Sequence, residues 1–419
     1  MVGVFPSRLS SPRMSSTVSD ASAATLLDAV LHQAFALGAS DLHFESYAQS
    51  FRIRARIDGV LQDMATPPLD VRDSALARLK VLARMDIAEK RLPQDGRFTH
   101  LHAGQSIDLR VSSLPTLHGE KLVLRILGLQ QTLPTLGELG LEPDQLTHLE
   151  NALQASDGMV LMTGPTGSGK TRSLYTCLHL LNRHEVNIHT LEDPVEVQLP
   201  GVNQVQIHER TGLGFAHTLR ALLRQDPDVI MVGEIRDAET ADIALQAAQT
   251  GHLVFSTLHT IDAPSALVRL HHMGVAPYHT AASVRLVVAQ RLLRLLCPHC
   301  RQPWSAEAQN EWLKQRSTHD KRWLAPWLDS ARLYAAQGCT QCLGGYKGRI
   351  GVFQVMPIHA GMQSLLFQQA DAHALTRQAL QDSVRSLRHS GWIKALQGLT
   401  TVDEVLRHTP ADLSGMPHP

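Results

Sequence analysis

The residues most capable of chemistry form one short glycine-rich segment, Gly164-Pro165-Thr166-Gly167-Ser168-Gly169-Lys170-Thr171. It satisfies the pattern G-x-x-x-x-G-K-[ST] and lies between an apolar strand-like run and a helical run, the context that a phosphate-binding loop requires. Glycines let backbone amides turn inward around a β-phosphate, and the helix beginning at Lys170 adds its positive end. Lys170 is placed to contact the β- and γ-phosphates, and the Thr171 hydroxyl to bind Mg²⁺. The segment therefore predicts a site for ATP and Mg²⁺.

Acidic residues follow two further apolar runs. Glu192-Asp193-Pro194-Val195-Glu196 comes directly after Leu191, and Glu234 follows the run from Val229 to Val232. In an open parallel sheet, residues just past the carboxyl ends of strands face the ligand crevice. We therefore expect these carboxylates to orient water and help hold the metal near the γ-phosphate. The alternative is that Glu192, Asp193 and Glu196 are turn and helix-capping residues.

Two arginines, Arg220 and Arg224, are four residues apart on a helical segment and share one face. Arginines near a phosphate site stabilise the charge of a transferring phosphoryl group. The alternative, to which we give equal weight, is that both arginines are solvated surface side chains.

Four of the five cysteines form two C-x-x-C pairs, Cys297 with Cys300 and Cys339 with Cys342. Each pair can place two thiolates on one ion, and together they complete a closed, structural Zn²⁺ site. Their separation exceeds the common zinc-ribbon spacing, but the cost of closing a loop rises only slowly with its length. The alternative is reduced, unliganded thiols. The fifth cysteine, Cys177, is predicted to be a small buried residue.

Composition narrows the function classes. Lysine plus arginine (39) balance aspartate plus glutamate (39), and aromatic residues make up 5% of the 419 residues. The balanced charge argues against a protein that binds nucleic acid mainly through its phosphates, and the low aromatic content argues against one that stacks bases on aromatic side chains. No nucleic acid partner is therefore expected. The sequence contains no apolar run of about eighteen residues and no secretory h-region, which predicts a cytoplasmic chain.

The elements that position these residues follow from periodicity. Residues 1–22 are predicted to be a flexible tail, and residues 23–130 a small α+β domain. Within this domain, a helix is predicted near 24–37 and ends at Gly38, and Asp58-Gly59 is predicted to form the turn between two strands. A proline- and glycine-containing linker is predicted at 131–141.

The rest of the chain divides into three predicted regions. Apolar runs at 159–162, 187–191, 229–232 and 253–256 alternate with helical segments, which predicts an α/β core with a parallel sheet over 142–296. A tetracysteine segment follows at 297–345, and 346–419 is predicted to be mostly helical. In that last region, Thr401 to Glu404 are read as a capping box.

Taken together, these motifs resemble those of the ATPases of type II secretion and type IV pilus assembly. The resemblance runs from about residue 24 to 407 and rests on ordered boxes after the phosphate loop and on three motifs before it. The boxes are Thr190 to Glu196, Arg224 to Asp237 and Thr250 to Thr260, and the earlier motifs are Ala39 to Glu45, Arg91 to Arg97 and Asp108 to Ser112.

The resemblance implies a PAS-like amino-terminal domain followed by a RecA-like core. It implies that Glu234 activates the attacking water, with Glu192 and Asp193 acting around metal and water. The roles that it further implies are γ-phosphate sensing or coupling by His252 and His259, and contact with the nucleotide from the first domain by Arg110 and Arg125.

The resemblance also implies partners and a place in the cell. The expected protein is a homohexameric motor that acts on an inner-membrane platform protein and reaches the membrane only through partners, in a short form without the family's extra amino-terminal docking domain. In the family, the tetracysteine is typical of assembly and secretion motors. Two other interpretations remain: a DNA-handling ATPase on a similar core, and a subunit that holds nucleotide without turnover.

Overall fold

The computed structural model describes residues 23–127 and 132–411. The chain divides into two compact units, Met1–Gln131 and Thr132–Pro419. The predicted tail, 1–22, lies outside the described residues.

The first unit contains a six-stranded antiparallel sheet in the order β3-β2-β1-β6-β5-β4, with two helices. Its elements are α1 (Ala23–Ala36), β1 (Asp41–Ser46), β2 (Phe51–Ile57), β3 (Val60–Ala65), α2 (Arg72–Leu82), β4 (Gln94–His102), β5 (Gln105–Thr116) and β6 (Gly119–Leu127), with a 3₁₀ turn at Leu69–Val71. The strict alternation of buried and half-buried residues along β2 is the period that predicted a strand. The predicted turn at Asp58-Gly59 has φ of 49° and 84°, as a two-residue hairpin requires.

One ion pair is buried inside the first unit. Lys80 of α2 lies 2.8 Å from the Glu120 carboxylate of β6, and both side chains are almost fully buried. The Lys80 ammonium also donates to the carbonyl oxygen of Glu89. The pair therefore ties the helix to the sheet, and neither charge has bulk water to replace a lost partner.

The second unit contains a seven-stranded sheet in the order β15-β12-β7-β11-β10-β8-β9, in which only β15 is antiparallel to its neighbour. Its helices are α3 (Pro143–Leu153), α4 (Lys170–Leu181), α5 (Phe215–Leu222), α6 (Ala238–Gln249), α7 (Ala263–His272), α8 (Pro277–Ser283), α9 (Ala306–Lys314), α10 (Thr318–Leu328), α11 (Ala360–Phe367), α12 (Ala372–Gln381), α13 (Leu387–Leu396) and α14 (Val402–His408), with 3₁₀ turns at Leu136–Leu139 and Glu209–Thr211. Its strands are β7 (Gly158–Thr163), β8 (Ile188–Glu192), β9 (Asn203–Gln206), β10 (Val229–Val232), β11 (Leu253–Leu258), β12 (Val284–Leu296) and β15 (Tyr346–Pro357), and β13 (Gln302–Pro303) pairs with β14 (Tyr334–Ala335) apart from the sheet.

The four apolar runs predicted as parallel strands are β7, β8, β10 and β11, and every residue of each is buried. This pattern is expected for a sheet that is covered on both faces. Two long strands, β12 and β15, were not predicted. The carboxyl-terminal region is therefore helical only after Pro357, because its first twelve residues form the edge of the main sheet.

The segment predicted as a linker, 131–141, is packed from residue 132 onward. Leu136, Leu139 and Leu141 are buried in the core of the second unit. Gly140 has φ of 103°, and a Cβ there would lie 2.5 Å from the carbonyl oxygen of Gly351 on β15. The glycine thus permits close backbone approach rather than flexibility, which corrects the prediction.

The last helix, α14, is joined to β12 by an ion pair. The Thr401 hydroxyl accepts from the Glu404 amide, as predicted for the helix start. The Glu404 carboxylate does not complete the capping box but accepts two hydrogen bonds from the Arg294 guanidinium, at 2.8 and 2.6 Å. Among the described residues, no helix has the length and apolar character needed to cross a bilayer.

Candidate functional site

The predicted phosphate-binding loop connects the end of β7 to the start of α4. Gly164, Gly167 and Gly169 have φ of 151°, 79° and 89°. A Cβ added at Gly164 would lie 2.6 Å from both the Ser168 Oγ and the backbone carbonyl oxygen of Gln290. A Cβ added at Gly169 would lie 2.8 Å from the side-chain Nε2 of Gln290. The buried Ser168 hydroxyl has no hydrogen-bond partner among the described residues. A tightly turned loop with an unused buried donor fits a phosphate group.

Lys170 is the first residue of α4 and is buried against this loop. Its ammonium donates to the carbonyl oxygens of Gly164 and Pro165, at 2.7 and 3.2 Å. Burial, and then the positive charge of Arg291, lower the pKa of Lys170 to about 8, whereas Glu234 acts in the opposite direction. The cation is therefore held where a polyphosphate would offset its desolvation.

Arg291 of β12 flanks the same loop and was not predicted. Because Ala289 pairs with Thr163 in the parallel register, the residues after Ala289 lie level with the phosphate loop. The Arg291 guanidinium donates to the carbonyl oxygens of Gln290 and Ile261, at 2.9 and 2.6 Å. It thus connects the loop edge to the turn that follows β11.

Glu234 and Asp193 meet at the carboxyl ends of β10 and β8, as their strand-end positions predicted. Arg236 brings them together, because its guanidinium donates to one Glu234 oxygen and lies 3.5 Å from Asp193 and 3.9 Å from Glu209. The His259 Nε2 lies 3.6 Å from the other Glu234 oxygen. The Glu234 carboxylate raises the pKa of Arg236, so this cation persists at any physiological pH. The cluster is partly exposed, which leaves access for water.

Glu192 differs from these acids because its carboxylate is almost fully buried and already satisfied. It accepts hydrogen bonds from the Tyr175 hydroxyl, from Thr190 at 2.6 Å and from Gln204 at 3.0 Å. Burial, followed by the Glu192 charge, raises the pKa of Tyr175. This geometry suits a residue that fixes the end of β8 beneath Asp193 better than a direct ligand of metal or water.

The two predicted histidines lie at opposite ends of the same strand, β11. His259 follows the end of β11, beside Glu234. His252 precedes β11, its carbonyl oxygen accepts from the Gly158 amide at the start of β7, and its Nδ1 lies 2.9 Å from the Ala247 carbonyl oxygen. A six-residue strand separates the two ends by roughly 20 Å. His252 therefore lies far from the strand ends that carry Glu234 and the phosphate loop, and its role in γ-phosphate sensing or coupling stays a prediction.

Arg220 and Arg224 lie on and just after α5 and are exposed. The Arg220 guanidinium pairs with Glu239 of α6 at 2.6 Å, and Arg224 donates to the carbonyl oxygen of Arg220. These contacts correspond to the surface alternative rather than to a phosphate contact within this chain.

Arg110 and Arg125 belong to the first unit, where they face each other as register partners on β5 and β6. Arg125 donates to the Asp41 carboxylate at 3.0 Å. The structure thus places the two arginines as one cross-strand pair, and their role toward nucleotide stays a prediction.

The four cysteines of the two C-x-x-C pairs converge, with all their sulfurs within 4.8 Å of one another. Sulfur separations are 3.9 Å for Cys297 and Cys339, and 3.6 Å for both Cys300 with Cys342 and Cys339 with Cys342. Four thiolates at about 2.3 Å from one tetrahedral Zn²⁺ lie about 3.8 Å apart, so the arrangement fits the ion. Cys177 is buried, as predicted, and burial raises the pKa of its thiol to about 12.

Sequence reasoning missed three residues of this site: Arg236, Arg291 and Gln290. Arg236 lies two positions after Glu234, so its proximity was visible as a short spacing. Gln290 accepts from the Ser173 hydroxyl of α4 across 117 positions of sequence. No local pattern signals such a contact.

Comparison with known proteins gives a consistent result. Residues 16–407 match the family described as "Type II/IV secretion system protein". The type IV pilus assembly ATPase PilB of Pseudomonas aeruginosa is 46% identical over 94% of this chain and 69% of its own length. The type II secretion system ATPase E of Vibrio cholerae is 42% identical over 93% of this chain and 76% of its own length.

A solved structure supports the fold. The ATPase DotB of Legionella pneumophila superposes with a TM-score of 0.66, at 20% identity, over 93% of this chain and 96% of that one. At this identity the likeness bears on the fold alone.

Proposed function

Because the chain belongs to the family of type II/IV secretion system proteins, we propose that it is a motor that hydrolyses ATP to power assembly of a type IV pilus or of a type II secretion pseudopilus. One observation carries the proposal: the loop that holds Lys170 and the cluster around Glu234 lie at the same edge of one parallel sheet. A P-loop next to a strand-end glutamate is the minimum set for phosphoryl transfer to water.

In this proposal the loop residues hold ATP, and the Thr171 hydroxyl and the acidic cluster hold Mg²⁺. Bound Mg²⁺ would neutralise charge that develops on the phosphates. Glu234 orients the attacking water, and Arg236 and His259 fix the direction of its carboxylate. Glu192 acts as a positioning residue for Asp193, through the three hydrogen bonds that hold it.

The finer features of the assembly are also proposals. The antiparallel sheet and helices of the first unit support a PAS-like domain. A role of Arg110 and Arg125 toward nucleotide is proposed on the family resemblance alone. The clustered cysteines support a structural Zn²⁺ that closes the segment between β12 and β15. The relatives are named as pilus assembly and secretion ATPases. On the family resemblance we further propose a homohexamer on the cytoplasmic side that acts on an inner-membrane platform protein.

The experiment is steady-state phosphate release by the purified protein with Mg²⁺ and ATP. Lys170→Ala is expected to abolish turnover, and Glu234→Gln to retain ATP while lowering kcat by a factor of about 100 or more. Glu185→Gln, an exposed glutamate between α4 and β8, is the matched control and is expected to behave like the parent. Parent-like turnover in Glu234→Gln would show that another carboxylate activates the water.

The same assay discriminates the alternative functions. A DNA-handling ATPase would hydrolyse ATP faster when DNA is added, whereas the proposed motor is expected to be indifferent to it. A subunit that only holds nucleotide would release no phosphate although it binds ATP. The relatives named above are pilus and secretion ATPases, which favours the motor over the DNA-handling function.

A further inference from the structure

The hydroxyl of Tyr175 joins two parts of the nucleotide site. Tyr175 lies on α4, the helix that begins at Lys170, and it is only 1% exposed. Its hydroxyl donates to the Glu192 carboxylate at the end of β8. The same hydroxyl accepts a hydrogen bond from the Glu196 amide, at 3.3 Å. One buried oxygen therefore connects the phosphate-loop helix to both ends of the segment from Glu192 to Glu196.

The surroundings of the Tyr175 ring assign this connection to the hydroxyl alone. The ring belongs to the apolar cluster that also contains Ile188, Leu199 and Met231. A phenylalanine would fill the same space, whereas only the hydroxyl reaches polar partners. Burial, and then the Glu192 charge, raise the pKa of Tyr175, so the hydroxyl stays protonated and donates at physiological pH.

The segment after β8 is held a second time, from the sheet. The side-chain nitrogen of Gln204 on β9 donates to the Glu192 carboxylate and to the Val197 carbonyl oxygen, both at 3.0 Å. The side-chain oxygen of Gln204 accepts from the Leu199 amide at 2.7 Å. Gln204 therefore holds this segment from the sheet side, as Tyr175 does from the helix side.

The end of β8 also supports Glu234 through the backbone. The Gly233 amide donates to the Leu191 carbonyl oxygen at 2.7 Å. A Cβ at Gly233 would lie 2.9 Å from that oxygen and 3.5 Å from the Glu192 Cα. Because the two backbones are this close, a shift of Glu192 would displace the residue before Glu234. The end of β8 therefore sets the position of Glu234 as well as that of Asp193.

We propose that Tyr175 is a positioning residue for ATP hydrolysis, which holds the Asp193 and Glu234 carboxylates in place relative to phosphates bound at the start of α4. This inference rests on the proposed function, because it concerns the same reaction. Lys170 and Tyr175 belong to one helix, so the phosphates and the acids are referred to one rigid element. The hydroxyl acts through Glu192 rather than by contact with the nucleotide.

The test is Tyr175→Phe, which removes the hydroxyl and keeps the ring. In phosphate release with Mg²⁺ and ATP, kcat is expected to fall about 10–100-fold, whereas affinity for a fluorescent ATP analogue stays within about twofold of the parent. Tyr346→Phe is the matched control, because it removes a hydroxyl that lies 2.9 Å from the Thr401 hydroxyl, beside the cysteine pairs. The control is expected to keep the parent kcat. A parent-like kcat in Tyr175→Phe, or an affinity loss as large as the loss in kcat, would overturn the proposal.

A double-mutant cycle tests whether Tyr175 acts through Glu192. Glu192→Gln keeps the shape of the side chain and removes the charge that the hydroxyl supports. The double variant with Tyr175→Phe is therefore expected to lose much less kcat than the product of the two single effects. Circular dichroism establishes that each variant is folded. Effects on kcat that simply multiply would show that the hydroxyl acts elsewhere and would refute the proposal.

Hydrogen exchange separates this inference from the motor function. Tyr175→Phe removes the acceptor of the Glu196 amide, so peptides that cover residues 193–199 are expected to exchange about tenfold faster than in the parent and in Tyr346→Phe. Unchanged exchange in this segment would refute the inference even if the parent hydrolyses ATP. A parent that releases no phosphate would overturn the motor function, and exchange would still decide whether Tyr175 holds the segment.

Discussion

The ion pair between Glu404 and Arg294 offers the sharpest stability prediction. Glu404 is 2% exposed and receives two guanidinium hydrogen bonds and one from the Arg294 amide. Although burial alone would raise the pKa of Glu404, the hydrogen bonds from Arg294 and His408 and the Arg294 charge outweigh it and lower the pKa from 4.5 to about 2. A shift of this size corresponds to roughly 3 kcal/mol of unfolding free energy at neutral pH.

The perturbation is Glu404→Gln, which keeps the shape but removes the charge. It removes the carboxylate charge that contacts the largely buried Arg294 guanidinium, and breaking a buried pair in this way costs about 3–5 kcal/mol. The two estimates agree. In a unit of this size the loss corresponds to a drop in Tm of roughly 6–10 °C, measured by calorimetry or circular dichroism. Asp403→Asn, an exposed neighbour in the first turn of α14, is the control and should cost at most about 1 kcal/mol.

The pH dependence checks the cause. Because the folded pKa lies below the unfolded one, the contribution of Glu404 is complete above pH 4.5 and is lost as the pH falls towards 2. The difference in stability between parent and Glu404→Gln should therefore be constant from about pH 5.5 to 8 and shrink below 4.5. A loss under about 1 kcal/mol at pH 7, or a difference that does not change with acidification, would refute the reasoning.

Three further outcomes follow from other contacts. Arg236→Gln removes the cation that directs Glu234, so kcat for phosphate release should fall about 10–100-fold, and an unchanged kcat would contradict that role. Gly169→Ala forces a side chain onto a backbone with φ of 89°, at a cost of roughly 1–3 kcal/mol, and fluorescent-nucleotide titration should show affinity weakened by about tenfold or more. Glu120→Gln leaves the buried Lys80 ammonium unpaired, so thermal melting should report about 3–5 kcal/mol of lost stability in the first unit, and a near-parent melt would show that the pair is dispensable.

The sequence by itself determined the features that depend on local backbone geometry and residue chemistry. The phosphate loop was recognisable because its glycines occupy positive φ and its lysine begins a helix, requirements that a short segment carries within itself. Four parallel strands were predictable because burial on both faces demands continuous apolar runs. The convergence of the two C-x-x-C pairs was predictable as well, since each pair carries the spacing of two ligands of one ion within itself.

Only the tertiary structure decided which of these residues meet. The register of β12 on β7 places Arg291 and Gln290 beside the phosphate loop, and the length of β11 carries His252 to the far edge from His259. The packing of α4 on β8 satisfies the Glu192 carboxylate and so separates its role from that of Asp193. These outcomes depend on contacts between segments distant in sequence, and no local period of apolar and polar residues encodes which strands become neighbours or where each one stops.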